Sequence, residues 1–430
     1  MTAPEIPDPQ EFYKTYKEPV NGTVGHLTSD QEQALKELWI RLLAHIDANT
    51  DQPIKVSCDQ IHKTAFMAAE LSLSDSGAVN KWYEANHNIA SDIKTQTVRN
   101  KLYLNGEREL VVPPDFKPLF QDNVDIRYFG HVFWQACMLN KTPDSYLLTF
   151  LRAALWNIDQ AFDKIVCSVN WRATQAIDTL MWAGELDLNN RMMESGMTIQ
   201  SGVDRFANPV FIVRVRQNNS RERSEGDAER YTAYVLESIA NFAHKHKERA
   251  LLIYDYTNFK LENAETVFIR AIISTVEKMY PQIFNAVINY VDSWIFSGIW
   301  RLMKGLMNPS SAKRTFIVKN TKTLETYINS SQMIEEIGGA VPYEYKYVYP
   351  SKEENAKMFD SVGRKKSEDI FLQAIDSFIQ ETKMWISEKV AADGRYMAAS
   401  RMDAARKFDD AAHSLDQYVR ARSIFERTAK

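Results

Sequence analysis

The sequence predicts an α/β protein: a helical N-terminal lobe, then a mostly parallel sheet with helices packed on it, then a helical C-terminal extension. Two changes of pattern predict this. Apolar residues recur at helical spacing in the first 190 residues, and from about residue 205 short β-branched runs alternate with helical stretches. After Pro350 the helical period returns on a charged background.

Residues 1–27, polar and broken by Pro4, Pro7, Pro9 and Pro19, read as an extended arm. Ser29 with Glu32 predicts a capping box. Behind it Leu35, Leu38, Trp39, Leu42, Leu43 and Ile46 keep helical spacing. Residues 50–125 read as an insertion with some helix, and Pro113-Pro114 forbids regular structure at that point. Phe129, Phe133 and Trp134 mark a second helix, and Pro143 occupies a first helical position before Leu147, Leu148 and Leu151. Asp159 precedes Ala161, Phe162, Ile165, Val166 and Val169, a further helix. These segments make residues 28–195 one helical domain with the insertion inside it.

Residues 196–350 read as the second domain. PVFIVRVR (209–216), ALLIYDY (250–256), AVINYV (286–291) and TFIVKN (315–320) are strand-like, with helical patterns at 229–246, 262–279 and 294–307 between them. Strands separated by helices require crossovers and a largely parallel sheet. Their near-continuous apolar character fits a sheet covered on both faces. Residues 351–430 read as a helical extension. Ile370, Phe371, Ala374, Ile375, Phe378, Ile379, Trp385 and Ile386 form its first stripe, and 395–428 is rich in Arg and Ala.

A net charge of -4 over 430 residues offers no basic field for nucleic acid. Cys58, Cys137 and Cys167 describe no disulfide framework. No uninterrupted apolar run reaches the ~18 residues of a membrane span, and the first ten residues, MTAPEIPDPQ, have no secretory pattern. A cytoplasmic monomer, peripheral on membranes, is expected. GxSxG, HExxH, P-loop and GxGxxG motifs are absent from the sequence, so no enzyme is expected. His244 and His246 sit in HKHKER, which reads as a solvated basic stretch, and the other histidines form no spaced set. Asp255 and Asp292 end strand-like runs, where either strand caps or α/β site residues occur.

Several stretches in order resemble the CRAL-TRIO lipid-binding family, in particular its fungal phosphatidylinositol-transfer-like branch. They are LLTFLRAALWNIDQAF (147–162) with NWR (170–172), GVDRFANPV (202–210), LIYDYTNFKLENAE (252–265), YPQIFNAVINYV (280–291), WIFSGIWRLMKGLMNP (294–309), EEIGGAVPYEYKY (335–347) and LDQYVRARS (415–423). The resemblance implies a sheet flooring a lipid pocket under a mobile helix. It further implies a non-catalytic carrier of one phospholipid or neutral lipid that meets membranes transiently, with no cofactor beyond the bound lipid.

On that resemblance Asp204 and Pro209 retain the family's headgroup-binding pattern, and Ser311 and Arg314 stand in for a Thr and a Lys. The pattern's Arg and Glu are replaced by Ala154 and Gln282, a coupled loss of a cation and an anion. The hydroxyl pair that reads phosphocholine falls on Ala250 and Leu252. A more apolar pocket follows, suited to a sterol precursor or another neutral lipid. Tyr254 and Tyr256 read as pocket-wall residues, or, as in a haem-binding branch of the family, as haem ligands.

The resemblance makes 294–307 the gate. Ile295, Ile299, Leu302, Met303 and Leu306 share one helical face, and Trp294, Phe296, Trp300 and Met307 add to it, with Arg301 and Lys304 as its only charges. Trp beside cations suits an anionic membrane surface. A lipid-sensing scaffold that presents its ligand to a partner enzyme is the other reading.

Overall fold

A computed structural model of the chain describes residues 22–56, 119–120, 126–219, 223, 225–246, 249–260, 263, 266–291, 300, 303–307, 309–351, 353–388 and 399–429. In chain order the principal elements begin with α1 (Ser29–Ala48), β1 (Pro53–Lys55), β2 (Ile126–Tyr128), α2 (Phe129–Cys137), α3 (Pro143–Ala153), α4 (Ile158–Thr174), α5 (Ile177–Ala183) and α6 (Asn190–Glu194). They continue with β3 (Thr198–Val203), β4 (Pro209–Arg214), α7 (Glu225–His246), β5 (Ala250–Asp255), α8 (Thr266–Met279), β6 (Phe284–Tyr290) and β7 (Thr315–Val318). The chain ends with α9 (Ser361–Ser387), α10 (Ala399–Val419) and α11 (Ile424–Thr428). The elements form two bodies. One draws on Pro19–Asp187 and Pro350–Arg422, the other on Leu188–Tyr349 and Ser423–Lys430.

The first body is helical, with one small β1–β2 antiparallel pair that the sequence pattern did not announce. Helix α1 starts one residue earlier than Ser29 suggested as a cap. Thr28 is the N-cap, and Gln31 closes the capping box. Likewise α4 is capped by Asn157 rather than introduced at Asp159. Trp39, 0 % exposed, centres the core. Its ring meets Phe133 at 6.1 Å and Phe378 at 5.8 Å, so the helices read as a C-terminal extension share a core with the N-terminal helices. Buried Ala404, Ala405, Ala411 and Ala412 let α10 lie close to its neighbours. Ile370, placed in the apolar stripe by its sequence spacing, is instead 46 % exposed, at the edge of the α9 stripe.

Asp144 and Arg401, both 0 % exposed, form an ion pair inside this core. The guanidinium donates to the carboxylate at 2.6 and 2.9 Å, and the Trp39 indole N–H donates to the same carboxylate at 2.7 Å. Arg401 also lies 4.1 Å over the Trp385 ring and donates to Thr382 Oγ1 at 3.3 Å.

The second body holds a five-stranded sheet in the order β3-β4-β5-β6-β7, in which β3 is antiparallel and the rest are parallel. Ile212, Ile253, Ile288 and Phe316 lie side by side across it. That face packs on Leu324, Tyr327, Ile328, Met333, Ile334 and Ile337. Alternate residues point the other way, toward α7 and α8, as the two-residue strand period requires. Both faces are therefore covered, which is why these strands read as unbroken apolar runs.

The edge strand β3 is a finding of the structure, because TIQSGV carries no apolar run. Its register shifts between Gln200 and Val203, and Gly202 there has φ +68°. A Cβ at Gly202 would stand 2.2 Å from the Gln332 carbonyl oxygen, so only glycine fits.

Candidate functional site

Strand β5 places Leu252 and Tyr254 on one face, with Tyr256 just beyond, under helices α7 and α8. Two apolar hollows open along that face. One encloses about 820 Å³ and the other about 620 Å³, each counted with its open mouth. Leu252, Tyr254, Ile272, Val276 and Phe284 line both, so they are adjoining lobes that share this wall.

The first lobe is walled by β4 through Val213 and by α7 through Tyr231, Val235, Leu236 and Ile239. Among the described residues its lining has no charged side chain, and it includes Asn218 and Asn263. Those two amides are engaged, since Asn218 Nδ2 donates to the Asn263 carbonyl at 3.1 Å and Asn263 Nδ2 to the Asn218 carbonyl at 2.9 Å. The second lobe runs past Val287, Met303 and Met307 to a polar end of Glu277, Gln282, Ser311 and Arg314. There Arg314 donates to the Phe284 carbonyl at 3.0 Å, and the Ser311 carbonyl accepts from Thr315 Oγ1 at 2.9 Å. Gln282 turns the chain into β6 with φ 63°.

Of the residues singled out in the sequence, Leu252, Tyr254, Gln282, Ser311, Arg314 and Met303 meet on the second lobe, and Tyr256 joins the first. Ala250 is buried at the start of β5 and lines neither lobe. Asp204 and Pro209 lie at the β3–β4 turn and line neither. The Asp204 carboxylate accepts from the Phe206 and Asn208 backbone N–H groups at 2.8 and 2.9 Å and from Asn208 Nδ2 at 2.8 Å. Burial pushes that carboxyl up, against those hydrogen bonds.

Of the gate residues, Trp300 and Met303 pack with Tyr256, Phe259 and Val291. Leu306, expected on the same inward face as Met303, is 39 % exposed. Trp294, Phe296 and Ile299 lie outside the described residues, as do Asp292, Cys58 and most of 50–125. Asp255 is buried, accepting from Arg216 Nη1 at 2.6 Å and from the Thr257 N–H at 3.0 Å, a strand-end clasp rather than a group facing the lobes. His244, read as solvated, is only 7 % exposed, because α7 turns that position inward. The α7 side of the first lobe went unassigned in the sequence. Its stripe is visible there, but a stripe looks the same whether it meets a core or a cavity.

The two phenols differ. Tyr256 reaches toward Met303 Sδ at 3.9 Å, whereas the Tyr254 hydroxyl has no hydrogen-bond partner among the described residues. Burial pushes the Tyr254 phenol up to about 12 and Tyr256 higher still. A tyrosine ligand to haem iron binds as the phenolate. No histidine lines either lobe among the described residues, so these residues offer haem iron no imidazole beside the two phenols.

Residues 193–339, which include both lobes, match the CRAL/TRIO domain. The chain is 23% identical over 428 residues to phosphatidylinositol transfer protein CSR1 of Eremothecium gossypii, across 94% of this chain and 97% of that one. It is 29% identical over 301 residues to a CRAL-TRIO domain-containing protein of Schizosaccharomyces pombe, across 69% and 67% of the two chains. The crystal structure of Sfh5 aligns at 13% identity with a TM-score of 0.34, over 60% of this chain and 85% of that one. The chain thus carries a CRAL/TRIO domain. It is similar over nearly its whole length to a fungal phosphatidylinositol-transfer protein.

Proposed function

We propose that the chain is a lipid carrier that shelters one hydrophobic ligand in the two-lobed space above β5 and exchanges it at membranes. The observation that carries this reading is the apolar space itself, centred on Leu252 and Tyr254 within the CRAL/TRIO domain. Hiding hydrocarbon from water is worth about 0.8 kcal/mol per methylene. A wall with so few polar groups matches what an acyl chain loses on leaving a bilayer, so transfer between the two is nearly level in free energy. The barrier is then the movement of the cover, as in other gated proteins.

The segment around Trp300 and Met303 is that cover in this reading. Among the described residues it rests on Tyr256 and Phe259 through apolar contact. Lys304, exposed on the same short stretch, would face anionic headgroups during docking. Such chemistry needs a dry space and no reactive group, in keeping with a binding protein rather than an enzyme. Among the described residues no helix is long and apolar enough to cross a membrane.

Two measurements test the carrier reading. Mass spectrometry of purified protein should return about one lipid per chain, and labelled lipid should move between donor and acceptor vesicles in proportion to added protein. Binding without transfer would instead favour a lipid-presenting scaffold, and a chain that purifies and remains lipid-free would refute both.

A further inference from the structure

The polar inventory of the cavity points to the chemistry of its cargo, on the basis of the carrier reading above. Among the described residues no cation lines the first lobe, so a phosphate lodged there would stay unpaired, a strongly unfavourable state for a buried charge. Among them one cation and one anion, Arg314 and Glu277, line the second lobe, and Arg314 is held to the Phe284 carbonyl at 3.0 Å. Between these regions stands Tyr254, on the central strand and on the boundary of both lobes.

Its hydroxyl differs from the hydrogen-bonded polar groups of the same walls. Thr232, in the same wall, gives its hydroxyl hydrogen to the Ala228 carbonyl at 2.7 Å, and the two asparagines bind one another's backbone. Tyr254 has no such partner among the described residues. A polar group in an apolar enclosure is ordinarily hydrogen-bonded, and one that is not calls for a partner from outside the chain. Burial keeps the phenol protonated through all ordinary pH, so it is a standing donor.

We propose that the Tyr254 hydroxyl is the anchor for the single oxygen of an uncharged lipid, so that the protein selects a neutral, hydroxyl- or carbonyl-bearing cargo over a pure hydrocarbon and over a phosphate-headed lipid. Tyr254 thereby fixes how deep the cargo sits, with hydrocarbon running into the lobes on either side. Leu252 and Tyr256, its neighbours on the same face, supply contact but no competing donor aimed at the shared wall, since Tyr256 is directed to Met303.

The test uses full-length wild-type protein and Tyr254→Phe, each incubated with phosphatidylcholine vesicles doped with equal amounts of 1-octadecanol, octadecane and phosphatidylinositol. The protein is re-isolated and its bound lipids are quantified by mass spectrometry. The bound octadecanol-to-octadecane ratio should be about fivefold higher for wild type than for Tyr254→Phe, the worth of one net hydrogen bond. Octadecane occupancy should be equal in the two proteins, which also shows that the variant is folded. An unchanged ratio overturns the anchor, and so does preferential uptake of phosphatidylinositol by wild type. In either case the bound lipid leaves the carrier reading standing. Uptake of none of the three, with no lipid co-purifying, removes the carrier reading and the anchor together.

Discussion

Replacing Arg401 by Met isolates the ion pair buried in the helical body. The variant keeps the apolar stem but gives up the guanidinium that lies 4.1 Å over the Trp385 ring. It removes the two guanidinium contacts at 2.6 and 2.9 Å and leaves the Asp144 carboxylate, 0 % exposed, without its cation beside the Trp39 N–H that donates to it at 2.7 Å. Breaking one side of such a pair costs about 3–5 kcal/mol, because the charge left behind stays out of water without its partner. Adding Asp144→Leu removes that orphan charge but strands the Trp39 N–H, at about 1–3 kcal/mol, the Thr382 hydroxyl having already lost its donor with Arg401. The double variant should therefore cost roughly 2 kcal/mol less than the sum of the singles. Urea unfolding followed by tryptophan fluorescence reads this as a shift of midpoint at constant slope. The reasoning is refuted if Arg401→Met costs under about 1 kcal/mol or if the two single changes simply add.

Other perturbations test other parts of the molecule. Leu252→Trp, which thickens the wall shared by both lobes, should cut bound lipid per chain severalfold by mass spectrometry while leaving the far-ultraviolet circular dichroism unchanged. Gly202→Ala should lower stability by about 1–3 kcal/mol in thermal unfolding, since alanine meets both the positive φ and the Gln332 carbonyl. Burial holds the imidazoles of His131 and His45 below their usual range. The folded chain protonates them at lower pH than the unfolded chain does, so the unfolded chain takes up more protons as pH falls below about 6.5. Stability should be level above that pH and fall as pH drops through it, and His131→Gln should flatten the fall in urea titrations across this range. Maleimide should label exposed Cys167 quickly and buried Cys137, whose thiol burial pushes well up, only on unfolding.

The parallel strands were legible because burial on both faces forces continuous β-branched runs such as PVFIV and ALLIY. Strand β3 was not, because an edge needs no such run and its Gln200, Ser201 and Gly202 read as a loop. Caps were found to within a residue or two, where Thr28 and Ser29 offer the same hydroxyl and tertiary contact chooses between them. On the β5 side Leu252, Tyr254 and Tyr256 were named through the family resemblance, and alternation along the strand puts them on one face. The α7 side was not, since Tyr231, Val235, Leu236 and Ile239 have the spacing of any buried stripe. His244 misled for a related reason: its lysine neighbours are polar, but helical rotation rather than neighbourhood decides which way a side chain points.

Phe371, Phe378 and Phe408 complete the core that Trp39 and Phe133 begin, and Phe425 closes on Phe211 at 5.1 Å. During synthesis α1 thus emerges more than three hundred residues, and α2 more than two hundred, before their apolar partners in α9 and α10, with the whole CRAL/TRIO domain made in between. Nascent chains should therefore spend most of translation with an uncovered greasy flank, a target for holding chaperones. A stop codon near position 350 would free that flank permanently and turn a truncated product toward aggregation or degradation.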